Sequence, residues 1–152
     1  MEKLCNVAEI VLKYKRTFAV QEKCNRSSLA NTIVRELAKK RDHELGLVEN
    51  FYVVLLDISN GVIGAYHTGK GGLDSVQVDK RVICSVALIA GATKVILAHN
   101  HPSGKLVPSS SDRNITMEIQ EGLTTVGVVL EDHIILSGIN NSYLSFRDEG
   151  LM

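Results

Sequence analysis

Two histidines separated by a single residue are the part of this sequence with the clearest chemical meaning. His99 and His101 flank Asn100, and Asp112 follows eleven residues after the second histidine. Side chains of a strand alternate between its faces, so both imidazoles reach one ion while Asn100 points away. Pro102 has no N–H for a strand ladder, which places the pair at a strand end. With Asp112 the histidines make three ligands and leave a fourth position open, as catalytic zinc sites do.

The ligand set of two imidazoles and one carboxylate suits Zn²⁺ best, and we expect one ion per chain. Mn²⁺ and Fe²⁺ also accept such a set. Zinc in this kind of site lowers the pKa of its bound water to about 7, which makes a nucleophile at neutral pH. Hydrolysis by this route also needs a general base for the proton and a donor for the oxyanion.

A second interpretation of the same residues needs no metal. Ser109 and Asp112 have the spacing of a capping box at the start of a helix, and histidines are common at loop edges. The two roles are compatible, because a carboxylate in the first helical turn stays ionised near the helix dipole. The paired histidines, the proline after them and the helix-initial carboxylate together favour the metal site.

Alternating strand and helix patterns are expected to position this site. Strands are predicted at residues 7–14, 51–58, 62–68, 75–78, 94–98, 127–136 and 143–146, and helices at residues 27–41, 80–90 and from about 109 to 125. Asn60 and Gly61 favour a hairpin turn, so part of the sheet is antiparallel. The pattern predicts an α/β fold, a mixed β-sheet sandwiched by helices, in a single domain over residues 1–152.

The composition predicts a soluble globular protein. The chain has 17 basic and 17 acidic residues, so its overall charge does not favour nucleic acid or an anionic membrane as partner. Three cysteines without a C-x-x-C spacing argue against a disulfide framework and against cysteine-bound zinc. Reduced thiols, a charged N-terminus unlike a signal peptide and no long apolar run together predict a cytoplasmic location.

Several separated segments resemble one known family. The string HNHP at residues 99–102, followed by PSSSD at residues 108–112, resembles the JAMM motif of JAB/MPN-type metalloproteins. The wider strings ILAHNHPSG, LEDHIIL and SYLSFRDEG resemble the RadC branch, and the likeness covers residues 49–151. This resemblance implies a cytidine-deaminase-like α/β fold with a zinc site.

The resemblance also implies a role for each motif residue. The zinc ligands would be His99, His101 and Asp112. Ser109 matches the serine that stabilises the tetrahedral intermediate. The catalytic glutamate of the motif lies upstream of a long strand, where Glu49 matches best and Glu44 is the fallback.

Some features depart from the wider family. Asn100 stands where deubiquitinating relatives carry Ser or Thr, and Asn is the form found in RadC-like proteins. We expect a short form, with residues 1–48 as an N-terminal strand–helix extension and residues 49–152 as the JAMM metal-site core. Longer RadC proteins carry a helix-hairpin-helix region for which these 48 residues leave no room. No H-x-E with P-C-x-x-C is present, which disfavours base deamination.

Three functions follow from this reasoning. The first is a zinc-dependent hydrolase of amide bonds, in a peptide or isopeptide, whose substrate is an unidentified protein or peptide. The second is a DNA-repair-associated protein or metal-dependent nuclease, which rests on the family name and which the neutral charge disfavours. The third is a non-catalytic scaffold that keeps the JAB fold.

The remaining histidines are assigned less specific roles. His133 follows Asp132 on a predicted strand and either orients a metal ligand or forms a satisfied core pair, the second being preferred. His43 and His67 are expected to be unpaired surface residues.

Overall fold

A computed structural model describes residues 23–71 and 78–152 of the chain. The elements are α1 (Ser27–Lys40), β1 (Asn50–Leu56), β2 (Val62–Lys70), α2 (Lys80–Ala90), β3 (Lys94–His101), α3 (Ser110–Thr125), β4 (Val129–Ser137) and β5 (Tyr143–Ser145). The strands form one five-stranded sheet in the order β2-β1-β3-β4-β5. Strands β3 and β4 are parallel, and the other neighbouring pairs are antiparallel.

Helix α1 covers one face of the sheet, and helices α2 and α3 cover the other. Buried residues of α1 recur at Ala30, Val34 and Ala38, which is the four-residue spacing of a single apolar helix stripe. The two apolar clusters divide the strands by alternation. Side chains such as Val54 and Ile96 lie in the α1 cluster, and their neighbours along each strand lie in the α2/α3 cluster.

The interior position of β1 in the sheet follows from its composition. All seven of its residues are buried, as expected for an apolar strand packed on both faces. Asp79 begins α2 by accepting a hydrogen bond from the backbone N–H of Arg81, and Gly91 ends the helix in the left-handed region with a φ of 65°. These local signals explain why both ends of α2 could be predicted.

The predicted α/β fold with a mixed sheet between helices is confirmed. Strand β3 is longer than expected, because both histidines belong to it rather than following it. The predicted strand at residues 7–14 lies outside the described residues, as does that at 75–78 except for Val78, which is not in a strand. None of the helices in the described part of the chain has the length and hydropathy that a membrane span requires.

Candidate metal centre

The C-terminal end of β3 brings the two histidines to one face of the sheet. His99 is paired with Phe51 of β1 and with Ile135 of β4, so strands hold it on both sides. A tight turn follows, in which Gly104 has a φ of 75° and donates its N–H to the carbonyl of His101 at 2.9 Å. The turn returns the chain toward His101 before α3 begins.

Asp112 reaches the histidines from the first turn of α3. Its Oδ1 lies 3.1 Å from Nε2 of His99, and its Oδ2 lies 3.6 Å from Nε2 of His101. The two Nε2 atoms are 3.0 Å apart. One ligand atom from each residue lies within 4.8 Å of the others, a grouping able to hold a metal ion.

The capping box at the start of α3 fixes the carboxylate of Asp112. The backbone N–H and the hydroxyl of Ser109 both donate to Oδ2, each at 2.7 Å, and the Asp112 N–H donates to Ser109 Oγ at 3.1 Å. The cap and the metal-ligand interpretations of these residues therefore coexist. Burial alone raises the pKa of Asp112, but pairing with His101 and His99 in their protonated forms, and the hydrogen bond from Ser109, outweigh it and hold that pKa well below its usual value.

Hydrogen bonds on the far side of His101 fix its tautomer. Its Nδ1 lies 2.6 Å from the carbonyl oxygen of Lys105, which only accepts, so Nδ1 carries the proton. The lone pair is then on Nε2, facing Asp112. Without metal, the hydrogen bond to Asp112 raises the pKa of His101 against the effect of burial, so a metal ion competes with a proton for this atom.

A buried relay fixes the tautomer of His99 in the same sense. The Thr116 hydroxyl donates to the Asp112 carbonyl at 2.5 Å and therefore accepts from Nδ1–H of His133, at 2.6 Å. Nε2 of His133 then accepts from Nδ1–H of His99, at 2.8 Å. The relay leaves the lone pair of His99 on Nε2, next to the carboxylate.

The donor set therefore fits a divalent cation. Two imidazole lone pairs and one carboxylate face one another, and such acceptors repel unless a proton or a metal ion lies between them. Neutral histidines and an ionised carboxylate are the forms that bind zinc. His133 is fully buried, and burial lowers its pKa well below the usual value, which keeps the His133 ring neutral.

The sequence allowed two roles for His133. In the structure its imidazole forms hydrogen bonds with His99 and Thr116. The preferred core pairing of its ring with Asp132 is not formed. Asp132 instead accepts from the backbone N–H groups of His133 and Arg147 and from the Ser145 hydroxyl. His133 and His99 are 34 residues apart and meet because their strands are neighbours in the sheet, so no short sequence spacing predicts the contact.

Glu49 lies beside the candidate ligands, and Glu44 does not share their cleft. An open cleft of about 1030 Å³ is lined by Glu49, His99, His101, Ser109 and Asp112, together with flanking residues. The negative charge of Glu49 also contributes to the raised pKa of His101. Glu44 is exposed and is not among the lining residues.

The expectation that His43 and His67 are unpaired surface residues was wrong. Nδ1 of His43 lies 3.0 Å from the Tyr52 hydroxyl, and Nε2 of His67 lies 3.0 Å from Oδ1 of Asn50. The two rings are 4.2 Å apart. Burial, and then the neighbouring His43, lower the pKa of His67 to about 4. Their partners are on β1, which the sequence could not match to them.

Comparison with known proteins assigns a family. A profile described as the RadC-like JAB domain matches residues 24–151. The chain belongs to this family. The mixed five-stranded sheet and three helices of the described residues are the α/β architecture expected for a JAB domain, and the family suggests a metal-dependent hydrolase-like fold.

Curated relatives are similar over most of this chain. It is 44% identical over 105 residues to a UPF0758 protein of Fusobacterium nucleatum, 38% over 144 residues to one of Flavobacterium johnsoniae, and 39% over 104 residues to one of Porphyromonas gingivalis. The matches cover 69%, 95% and 68% of this chain, and 44%, 57% and 45% of those relatives. The chain thus spans about half the length of the curated relatives it matches.

Proposed function

We propose that this protein is a zinc-dependent hydrolase of amide bonds, in a peptide or isopeptide, with Glu49 as general base. The observation that carries the proposal is the convergence of two fixed imidazole lone pairs and one fixed carboxylate at the floor of an open cleft. A structural zinc site would close the fourth position with another protein ligand, and three ligands are the number found in catalytic sites.

The residues of the cleft divide the remaining chemistry. A divalent metal held by His99, His101 and Asp112 would supply an activated water near neutral pH. The carboxylate of Glu49 accepts a proton from the attacking water and delivers it to the leaving nitrogen as the C–N bond breaks. The hydroxyl hydrogen of Ser109, which points to Asp112 Oδ2, can rotate toward the oxyanion without movement of the backbone.

The shape of the cleft supports an extended substrate. It is open to solvent, and its lining combines apolar residues, Val107 and Ile115, with the cation of Lys105. Such a lining can accept a chain segment whose amide reaches the floor between Glu49 and the ligands. A peptide or isopeptide within a protein partner therefore fits better than a small compact ligand, which favours an enclosed pocket.

Metal content tests the first part of the proposal. We expect the purified full chain to hold about one zinc ion per chain, and the double variant His99→Ala/His101→Ala to hold almost none. His43→Ala is the matched control, because it removes a histidine outside the cleft. Equal, near-zero zinc in the wild type and the double variant after zinc loading would refute the metal centre.

Hydrolysis tests the second part. The zinc-loaded protein is incubated with a library of internally quenched peptides and with an isopeptide-linked lysine conjugate. Glu49→Gln should retain zinc but lose at least ~100-fold of any cleavage found, the scale of general-base catalysis. Unchanged cleavage in Glu49→Gln, with cleavage lost in Glu44→Gln, would transfer the role to the fallback glutamate.

A further inference from the structure

Asn100, the residue between the two histidines, is fully buried and uses its amide completely. Its Oδ1 accepts the backbone N–H of Asn50 at 2.8 Å. Its Nδ2 donates to the carbonyl oxygens of Leu45 and Val48, at 2.6 and 2.8 Å. Three backbone groups of one segment, residues 45–50, are thus bound by one side chain that projects from the face of β3 opposite to the histidines.

This segment carries Glu49. In the pairing of β1 with β3, Phe51 lies opposite His99, so continuing the same register places Asn50 opposite Asn100 and Glu49 opposite His101. Directly opposed residues of an antiparallel pair share a face, which directs Glu49 to the side of the ligands. Regular pairing ends before Glu49, so the amide of Asn100 replaces the strand ladder at this point.

Other contacts of the segment show how closely it is packed. The Asn50 side chain also donates to the Val48 carbonyl at 3.1 Å, and the Gly71 N–H donates to the Glu49 carbonyl at 2.8 Å. A Cβ added to Gly138 would lie 2.5 Å from the Leu45 carbonyl oxygen. The segment 45–50 therefore lies directly against the backbone that follows β4, and the Asn100 amide supplies the hydrogen bonds that tie the segment to β3.

We propose that Asn100 is a positioning residue that holds the Glu49 carboxylate at the metal centre by fixing residues 45–50. The proposal rests on the proposed function, in which Glu49 is the general base. The strand β3 then sets both parts of the site, because His99 and His101 project from one face and the tether of the base projects from the other. A serine or threonine, with one hydroxyl, cannot bind all three backbone groups.

Two variants separate this role from simple packing. Asn100→Asp keeps the acceptor for the Asn50 N–H, but replaces both N–H donors with an oxygen that faces two carbonyls. Asn100→Ser shortens the side chain and serves if the aspartate variant does not fold. Leu123→Ala is the control for a general loss of stability, because Leu123 is buried in α3 about 16 Å along the helix from Asp112.

The first measurement is hydrogen exchange of the zinc-loaded full chain, read at residues 45–50. We expect exchange in this segment to rise at least ~10-fold in Asn100→Asp while it stays near the wild-type rate in Leu123→Ala. Zinc affinity, measured by competition with a chromophoric chelator, should stay within about threefold of the wild type, since Asn100 is not a ligand.

The second measurement is the affinity of the zinc-loaded protein for acetohydroxamate. This probe loses a proton when it binds zinc, and Glu49 is placed to accept that proton. We expect Glu49→Gln to weaken binding at least ~10-fold and Asn100→Asp about 5-fold. In the Glu49→Gln background, the additional effect of Asn100→Asp should fall below ~2-fold, because the two residues act through one carboxylate.

Each outcome decides a specific point. Unchanged exchange at residues 45–50 in both Asn100→Asp and Asn100→Ser would overturn the role of Asn100 and leave the proposed function intact. The same conclusion would follow if Asn100→Asp weakened acetohydroxamate binding equally with and without the Glu49 carboxylate. Wild-type acetohydroxamate affinity in Glu49→Gln would instead reject Glu49 as the base, and the positioning proposal with it. Raised exchange together with non-additive binding supports both.

Discussion

Replacing His133 with phenylalanine should weaken zinc binding although His133 is not a ligand. The substitution keeps an aromatic ring in a fully buried position, against Phe146 at a centroid distance of 4.8 Å. It removes the acceptor for Nδ1–H of His99, whose hydrogen bond is 2.8 Å long. Zinc at Nε2 requires that proton on Nδ1, so the metal-bound state would leave a buried donor unsatisfied.

The size of the effect follows from the burial of that donor. His99 is 3% exposed, so water does not readily replace the lost partner. An unsatisfied buried donor costs about 1–3 kcal/mol. Each 1.4 kcal/mol is about tenfold in affinity, which gives a loss of roughly 5- to 150-fold. This range agrees with the ~10- to 100-fold cost found when outer partners of metal ligands are removed.

Chelator competition at pH 7.5 measures the effect. His133→Gln should recover most of the affinity, because its amide can accept from His99 and donate to Thr116. Phe146→Leu is the matched control, since it disturbs packing on the His133 ring without touching the relay. Wild-type zinc affinity in folded His133→Phe, or an equal loss in Phe146→Leu, would refute the argument that the relay sets the His99 tautomer.

Three further predictions concern other parts of the fold. Asp112→Asn removes the ligand anion and should lower zinc affinity by more than the ~100-fold that outer partners reach, in the same competition assay. Burial, and then His43, lower the pKa of His67 to about 4, so the fold keeps its full stability above pH 6.5 and loses part of it as pH drops toward 4, because the unfolded chain binds the extra proton. The free energy of unfolding, measured with urea at pH 7 and 4.5, should therefore fall less on acidification in His67→Gln than in the wild type, by about 1–2 kcal/mol after discounting for partial exposure. An unchanged pH dependence would contradict this prediction. Gly138→Ala should destabilise the protein by about 1–3 kcal/mol in the same assay at pH 7, since its Cβ would meet the Leu45 carbonyl, and a neutral effect would contradict that.

Local patterns made the grouping of the candidate ligands predictable. Alternation along β3 placed His99 and His101 on one face, and capping chemistry placed Asp112 in the first turn of α3. Both rules act over a few residues, so they can be read from spacing alone. Sheet class was predictable for the same reason, because the apolar run of β1 is characteristic of a strand packed on both faces.

Contacts between distant residues were not predictable in this way. The relay joins residues 34 positions apart at His133 and His99, and the amide of Asn100 reaches the Leu45 carbonyl 55 positions away. These pairs depend on the order of strands and on register, and a one-residue shift in register would move every side chain to the other face. The sequence could therefore name His133 as a candidate without deciding its role.

The register of β1 against β3 explains why the outer parts of this site depend on one another. Strand β3 carries His99 and His101. Through the amide of Asn100 it also sets the position of Glu49, which lies just before the start of β1. On the other side, the hydroxyl of Thr116 ties the His133 relay to the carbonyl of Asp112, and so to the helix turn that carries the third candidate ligand. A displacement of β3 would thus move the candidate ligands and Glu49 together and preserve their separation, whereas a displacement of the 45–50 segment alone would separate Glu49 from the candidate ligands. An amide at position 100 meets this requirement, because its one acceptor and two donors bind three backbone groups of the segment.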